Sequence, residues 1–131
     1  MKQINLNLLK LKIFNEQDVI DYCQLNNLNF LNITYLDLSN NKLTNISDVK
    51  PFKNLKELYL NNNKITNILV LENLNKLEIL GLGKNYLNDI SPVQYLKNLI
   101  VLGIEDLKLE SDQIEYIMNI KKVFYQNAFK N

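Results

Sequence analysis

At 131 residues and 47% apolar side chains, the chain has the length of one domain and is too apolar for intrinsic disorder. Its 15 cations are all lysine and its net charge is +1. It therefore has neither a field to draw it to nucleic acid or an anionic membrane nor an arginine fork to read phosphate or guanine.

A single cysteine, Cys23, rules out an internal disulfide. It fits a reducing cytosol or a secreted protein without bridges, and reads as a small buried apolar residue. Asparagine is over-used, with 23 copies, a bias that points to an AT-rich genome.

The N-terminal stretch MKQINLNLLKLKIF is interrupted by Lys10 and Lys12. It has no clean apolar core and no small-residue cleavage site, so no signal peptide is expected. No window approaches the ~18 apolar residues of a membrane span. The chain is expected to be cytoplasmic, without membrane attachment. Within this stretch LLKLKI provides Leu8, Leu11 and Ile13 as a first strand, with Lys10 and Lys12 on its outward face. NEQDVIDYCQL follows as a short helix, with Asn15 as cap and Val19, Tyr22 and Cys23 packed.

Internal repetition then dominates. ITYLDLSNNKLTNISDVKPFKN from Ile33, LKELYLNNNKITNILVLENLNK from Leu55 and LEILGLGKNYLNDISPVQYLKN from Leu77 align at a period of 22 without a gap. Seven apolar positions recur: Ile33/Leu55/Leu77, Leu36/Leu58/Leu80, Leu38/Leu60/Leu82, Leu43/Ile65/Leu87, Ile46/Ile68/Ile90, Val49/Leu71/Val93 and Phe52/Leu74/Leu96. An eighth is filled by Asn41, Asn63 and Asn85. The L-x-L pair has the period of a strand. The later I-x-x-L-x-x-L has the period of three that suits a tight turn or a 3₁₀ segment. One such coil cannot bury its leucines alone, whereas stacked coils make a continuous core.

This pattern resembles the leucine-rich repeat family, in the short 22-residue class of internalin-like proteins and some phosphatase regulators. NDISPVQYLKNL looks especially internalin-like. The resemblance implies an α/β solenoid, right-handed, with a parallel sheet of about six strands on the concave face, 3₁₀ or turn segments on the convex face and small helical caps at both ends. Asn41, Asn63 and Asn85 are expected to form a ladder, their amides bonding backbone groups of the neighbouring turn. A single domain is expected over 1–131, with caps at 1–32 and 105–131 around repeats 33–104. It reads as a complete short solenoid and a monomer.

The stretch GLGK at 81–84 invites a phosphate-loop reading. A phosphate loop, however, places its glycines at a strand-to-helix turn with Lys-Ser/Thr opening the helix. Here Gly81 falls inside a strand, and Lys84 is followed by Asn85. Gly81 and Gly103 mark a close approach or a weak point of the strand. In the expected register one outward column runs Lys10, Tyr35, Glu57, Ile79, Val101, Lys122. The next runs Lys12, Asp37, Tyr59, Gly81, Gly103, Phe124. Together they would form a shallow apolar trough over the glycines, walled by aromatics and rimmed by charge. Such a patch reads as a partner-binding surface, or as β-formers that merely suit a sheet.

A fourth coil begins at Leu99, with Leu102, Ile104 and Leu109 in register and Leu107 in place of the asparagine. The acidic run Glu105, Asp106, Glu110, Asp112, Glu115 matches no calcium-loop spacing. It is a solvated cap face or a dock for a basic partner. DQIEYIMN reads as a helix capped by Asp112, with Ile114, Ile117 and Met118 on one face. IKKVFY reads as a last strand with Ile120, Val123 and Tyr125 inward.

Without histidine the usual general base is missing, and no catalytic residue, metal or cofactor is expected. The sequence reads as a non-catalytic protein-binding module. Its expected contacts are Tyr35, Asp37, Glu57, Tyr59, Ile79, Gly81, Val101, Gly103, Glu105, Asp106 and Phe124, with no direct nucleic-acid partner. Two narrower readings are an inhibitor of an intracellular enzyme, such as a phage-encoded blocker of a CRISPR or other defence nuclease, and a scaffold or phosphatase-type regulatory subunit.

Overall fold

The structure is a computed structural model, and it describes residues 2–5 and 16–131. Six parallel strands form one sheet in chain order: β1 (Lys2–Asn5), β2 (Ile33–Asp37), β3 (Glu57–Tyr59), β4 (Ile79–Gly81), β5 (Val101–Gly103) and β6 (Lys122–Phe124). A helix, α1 (Glu16–Leu25), lies between β1 and β2. The other crossovers carry 3₁₀ segments at Ser47–Val49, Leu69–Asn73, Ser91–Tyr95 and Ser111–Tyr116. Each coil is thus a strand, a turn, a 3₁₀ segment and a return.

The spacing in sequence becomes register in space. Leu36, Leu58, Leu80, Leu102 and Val123 pair in one row. All but Val123 are fully buried, as are Leu38, Leu60, Leu82 and Ile104 two residues on. The convex wall adds Ile46, Ile68 and Ile90, then Val49, Leu71 and Val93. Each buried aliphatic side chain contributes about 1.5–3 kcal/mol, and the stack makes a single core.

Asparagine, replaced in places by Lys84, Asp106 and Asp89, recurs at three further points of the coil. After the strand the backbone turns left-handed at Asn40, Asn62, Lys84, Asp106 and Asn127, with φ between 56° and 62°. Asn and Asp tolerate this region better than other non-glycine residues. The next position is buried. Asn63 donates to Leu38 O and Leu60 O (both 3.0 Å), and its Oδ1 accepts from Leu43 N–H (3.0 Å). Asn85 repeats this with Leu60 O, Leu82 O and Ile65 N–H. Finally, Asn45, Asn67 and Asp89 each accept from the amide two residues on, at 2.8 Å, at the start of a 3₁₀ segment.

The two ends depart from the sequence reading. The strand beside β2 is Lys2–Asn5, with Gln3 opposite Tyr35 and Asn5 opposite Asp37. The strand expected at Leu8–Ile13, and with it Lys10, Lys12 and the cap Asn15, lies outside the described residues. K-Q-I-N has one apolar residue, Ile4, against three in L-K-L-K-I, so alternation points to the later segment and misses this strand. Cys23 is buried against the first coil, and burial pushes its thiol pKa up.

At the C-terminus the expected helix is a 3₁₀ segment, Ser111–Tyr116, and its N-cap is Glu110, not Asp112. Gln113 accepts from Ile90 N–H (2.8 Å), which fixes the rotation of the segment. Ile117 is buried, while Ile114 and Met118 are 52% and 74% exposed. Tyr125, expected inward, is 65% exposed. The terminal coil closes its interior with buried Ala128 and with Phe129, which bridges to Leu109.

Candidate functional site

Alternation along three-residue strands leaves two outward columns. Tyr35, Glu57, Ile79, Val101 and Lys122 share one, and Asp37, Tyr59, Gly81, Gly103 and Phe124 the other. The sheet therefore aligns nine of the eleven candidate contacts in these two columns, of which Gly81 and Gly103 are buried. Glu105 and Asp106 follow β5 at its C-terminal edge, where Asp106 accepts from Asn127 Nδ2 (3.2 Å).

At the β2–β3 end the column is aromatic and acidic. The Tyr35 and Tyr59 rings lie 5.5 Å apart, tilted by 52°. The Tyr59 hydroxyl donates to Glu57 Oε1 (2.8 Å). Burial, then that hydrogen bond, pushes the Tyr59 phenol well above the usual tyrosine range. Burial also raises Tyr35, with the charges of Asp37 and Glu57 adding to it. Asp37 Oδ1 accepts from Ser39 N–H (2.9 Å). At the β6 end Phe124 is 47% exposed, with the Lys122 ammonium 4.9 Å from its ring centre.

Between these ends the glycines do not open a trough. Gly81 and Gly103 are buried and contribute no contact surface. A Cβ on Gly81 would stand 2.6 Å from Asn61 Nδ2, and one on Gly103 2.8 Å from Glu105 Oε1. Asn61 folds over Gly81 and its Oδ1 accepts from Gly83 N–H (3.0 Å). Glu105 folds over Gly103 and Gly83, with Oε1 buried and without a partner among the described residues. No glycine has a positive φ, so what these positions need is room for a neighbouring side chain. The phosphate-loop reading fails on the same geometry: Gly81 ends β4, and Lys84 sits in a left-handed turn with no helix opening after it.

The sequence reading missed a notch of about 330 Å³ lined by Tyr35, Asp37, Ser39, Asn40, Tyr59 and Asn61. Ser39 and Asn61 hold equivalent places in successive repeats, two residues beyond the second outward column. Extending the alternation by one step would have found them. A larger groove of about 540 Å³ lies on the opposite wall, beside Leu96, Tyr116 and Ile120.

The acidic run is divided by the fold. Glu110, Asp112 and Glu115 belong to the last 3₁₀ segment or its cap. Glu110 pairs with Lys130 (2.5 Å), both well exposed, and such pairs contribute little to stability. The Tyr116 phenol, hydrogen-bonded to Glu115, is held above its ordinary value. Among the described residues, no group of three or more His, Cys, Asp or Glu side chains is placed to hold a metal ion, and no helix is long and apolar enough to cross a membrane.

A family model described as Leucine Rich repeats (2 copies) matches residues 31–76 and 53–95. Among solved structures, an internalin (inlF) from Listeria monocytogenes is similar at 29% identity, covering 74% of this chain and 29% of its own, with a TM-score of 0.67. Internalin C2 from the same species is 34% identical over 70% of this chain and 41% of its own, at 0.63. The ectodomain of the receptor kinase SOBIR1 from Arabidopsis thaliana shares the fold at 24% identity and 0.56, covering 76% of this chain and 60% of its own. The chain thus spans less than half the length of the two internalins. No curated protein matches it. The gapless repeats, their register in one parallel sheet and these likenesses agree: the chain belongs to the leucine-rich repeat family.

Proposed function

We propose that the chain is a non-catalytic module that docks a protein partner on the sheet face of its solenoid. Repeat solenoids commonly bind along such extended surfaces. Tyr35, Tyr59, Ile79, Val101 and Phe124 are the anchors, while Asp37, Glu57, Glu105 and Asp106 set orientation. The observation that carries the reading is the shared register: half-exposed aromatics at both ends of one sheet, with aliphatic residues between and carboxylates beside them. Aromatic anchors of this kind supply much of the energy at protein interfaces. Six strands at ~4.8 Å spacing span about 24 Å, enough for much of the ~800 Å² per partner of a standard interface.

The test is a pull-down from the native host, read by mass spectrometry, with the Tyr59→Ala/Phe124→Ala double variant as control. The captured partner should bind the variant at least about tenfold more weakly, with the variant still folded. Equal affinity would remove the sheet face from the interface.

A narrower reading makes the partner a cytoplasmic enzyme that the module inhibits, for example a defence nuclease whose basic channel is blocked. The exposed carboxylates of Asp112 and Glu115 favour it, because acidic groups compete for basic channels. Gene neighbourhood decides here: a phage or defence locus supports inhibition, and a housekeeping operon removes it.

A further inference from the structure

β6 is the last strand of the sheet, with β5 on one side and no described strand on the other. Lys122 N–H donates to Ile100 O (3.0 Å) and Phe124 O accepts from Ile104 N–H (2.9 Å), so both residues turn their backbone toward β5. Val123, between them, turns its N–H and C=O to the open edge, because successive strand residues alternate in this respect. Its side chain continues the row of Leu36, Leu58, Leu80 and Leu102, yet those four are fully buried and Val123 is only partly so. The residues after β6 return beside Leu109 and leave this edge open. Such an edge is a template for another strand. The sequence around it is self-complementary. Lys121-Lys122-Val123-Phe124-Tyr125, laid antiparallel against itself about Val123, sets each Lys122 opposite a Phe124 and each Lys121 opposite a Tyr125. All four of these side chains are exposed, and within one chain the Lys122 ammonium already lies 4.9 Å from the Phe124 ring centre.

We propose that two copies of the chain pair through β6, antiparallel, about a two-fold axis at Val123. This interface goes beyond the docking reading, does not rest on it, and replaces the monomer expected from the sequence. Val123 of each copy donates to and accepts from Val123 of the other, as in any hydrogen-bonded antiparallel pair. The two Val123 side chains, about 5.5 Å apart at Cα, cover each other and close the buried row. Four cation–aromatic pairs form, two on each side of the axis, and opposed pairs of this kind stabilise a strand pair. Other registers fit worse. Centring on Lys122 sets the two Lys122 side by side, and like charges directly opposite are destabilising. Centring on Phe124 sets Lys122 against Gln126 and needs Tyr125 C=O, which already accepts from Ala128 N–H (2.9 Å). A strand from another protein would have to supply the complementary pattern, whereas this chain carries it. The axis stands perpendicular to the sheet, so the assembly closes at two copies and their outward faces become one surface.

Sedimentation equilibrium of the full chain, from micromolar to millimolar concentration, tests this without any partner. The mass should rise from that of one chain at dilution to that of two, and stop there. The Val123 amide, open in the single chain, should gain protection from hydrogen exchange over the same range. Phe124→Lys sets lysine against lysine on both sides of the axis and should weaken the dimer at least about tenfold. Tyr125→Lys should do the same against Lys121, and decides the matter if the first variant does not fold. Mixing Phe124→Lys with Lys122→Phe puts a ring opposite every lysine at these two positions and should restore association as a mixed pair, which a misfolded chain could not do. The proposal is overturned by a single-chain mass throughout, by a mass that grows past two, by a dimer indifferent to the lysine variants, or by a mixture that stays apart. None of these outcomes touches the docking reading, which is decided by capture of the partner.

Discussion

Gly81 and Gly103 occupy equivalent positions in successive coils, yet the structure gives them unequal work. Neither has a left-handed backbone, so alanine fits both conformations and would reduce the entropy of the unfolded chain. The difference lies in what each new Cβ meets. At Gly81 it meets the Asn61 amide, whose oxygen holds Gly83 N–H. At Gly103 it meets Glu105 Oε1 at the end of a flexible side chain, an atom with no hydrogen-bond partner among the described residues. Gly81→Ala should therefore lower stability by about 1–2 kcal/mol, and Gly103→Ala should be neutral or stabilising by up to about 1 kcal/mol. Chemical denaturation of the two variants checks the order. If Gly103→Ala proves the more damaging, the account of the glycines is wrong.

Tyr59 offers a second test at this scale. Its folded pKa is raised, so its contribution to stability is complete below the ordinary tyrosine pKa of about 10. That contribution is lost as pH climbs through the folded value. In an ultraviolet titration, Tyr59→Phe should ionise as many tyrosines as the parent up to about pH 11 and fall one short only at higher pH. A deficit already at pH 10 would show an ordinary phenol.

The element is the coil, and here the sequence was legible for a physical reason. Seven apolar positions and one asparagine recur because each must face the same interior in every turn. A period of 22 is therefore a direct print of the core. The ends lack that constraint. Lys2–Asn5 has a single apolar residue, so alternation favours Leu8–Ile13 over it, and Ser111–Tyr116 is oriented by Gln113 accepting from Ile90 N–H, a contact across 23 residues that no local pattern shows. The aromatic columns were legible from alternation. The glycine floor was not, because its cover comes from Asn61 and Glu105 beyond the strand ends. Nor is the asparagine bias only a matter of genome composition, since left-handed turns, buried cross-links and 3₁₀ starts use the residue coil after coil.

Asn63 tests the coil. Alanine there would strip Leu43 N–H of its acceptor and remove a donor from Leu38 O and Leu60 O, all in buried surroundings. A loss of about 2–4 kcal/mol is expected. Asn63→Asp would keep the acceptor and lose the donors while burying a charge, so it should be no milder than alanine. Thermal melts of the pair decide it: a near-neutral Asn63→Ala would mean that water replaces the amide.

At the scale of the whole molecule, the strand order equals the chain order, so each coil depends on its two neighbours and stability is distributed as in a one-dimensional array. Central coils are supported on both sides. The N-terminal side is closed by α1, with Cys23 buried and the Phe30 ring 5.4 Å from Phe52, and the C-terminal side by the short chain around Ala128. Leu80, fully buried in β4, holds the middle of this array, and its truncation to alanine should cost about 2–5 kcal/mol. The loss should also travel. Hydrogen exchange in the parent should be slowest in β3 and β4 and faster toward α1 and β6, because end coils open without disturbing the centre. In Leu80→Ala, exchange should accelerate in β3, β4 and β5 together, since removing support from one coil weakens both interfaces it makes. An effect confined to β4, with β3 and β5 protected as before, would show that the coils are stabilised singly, and the nearest-neighbour description would have to be given up.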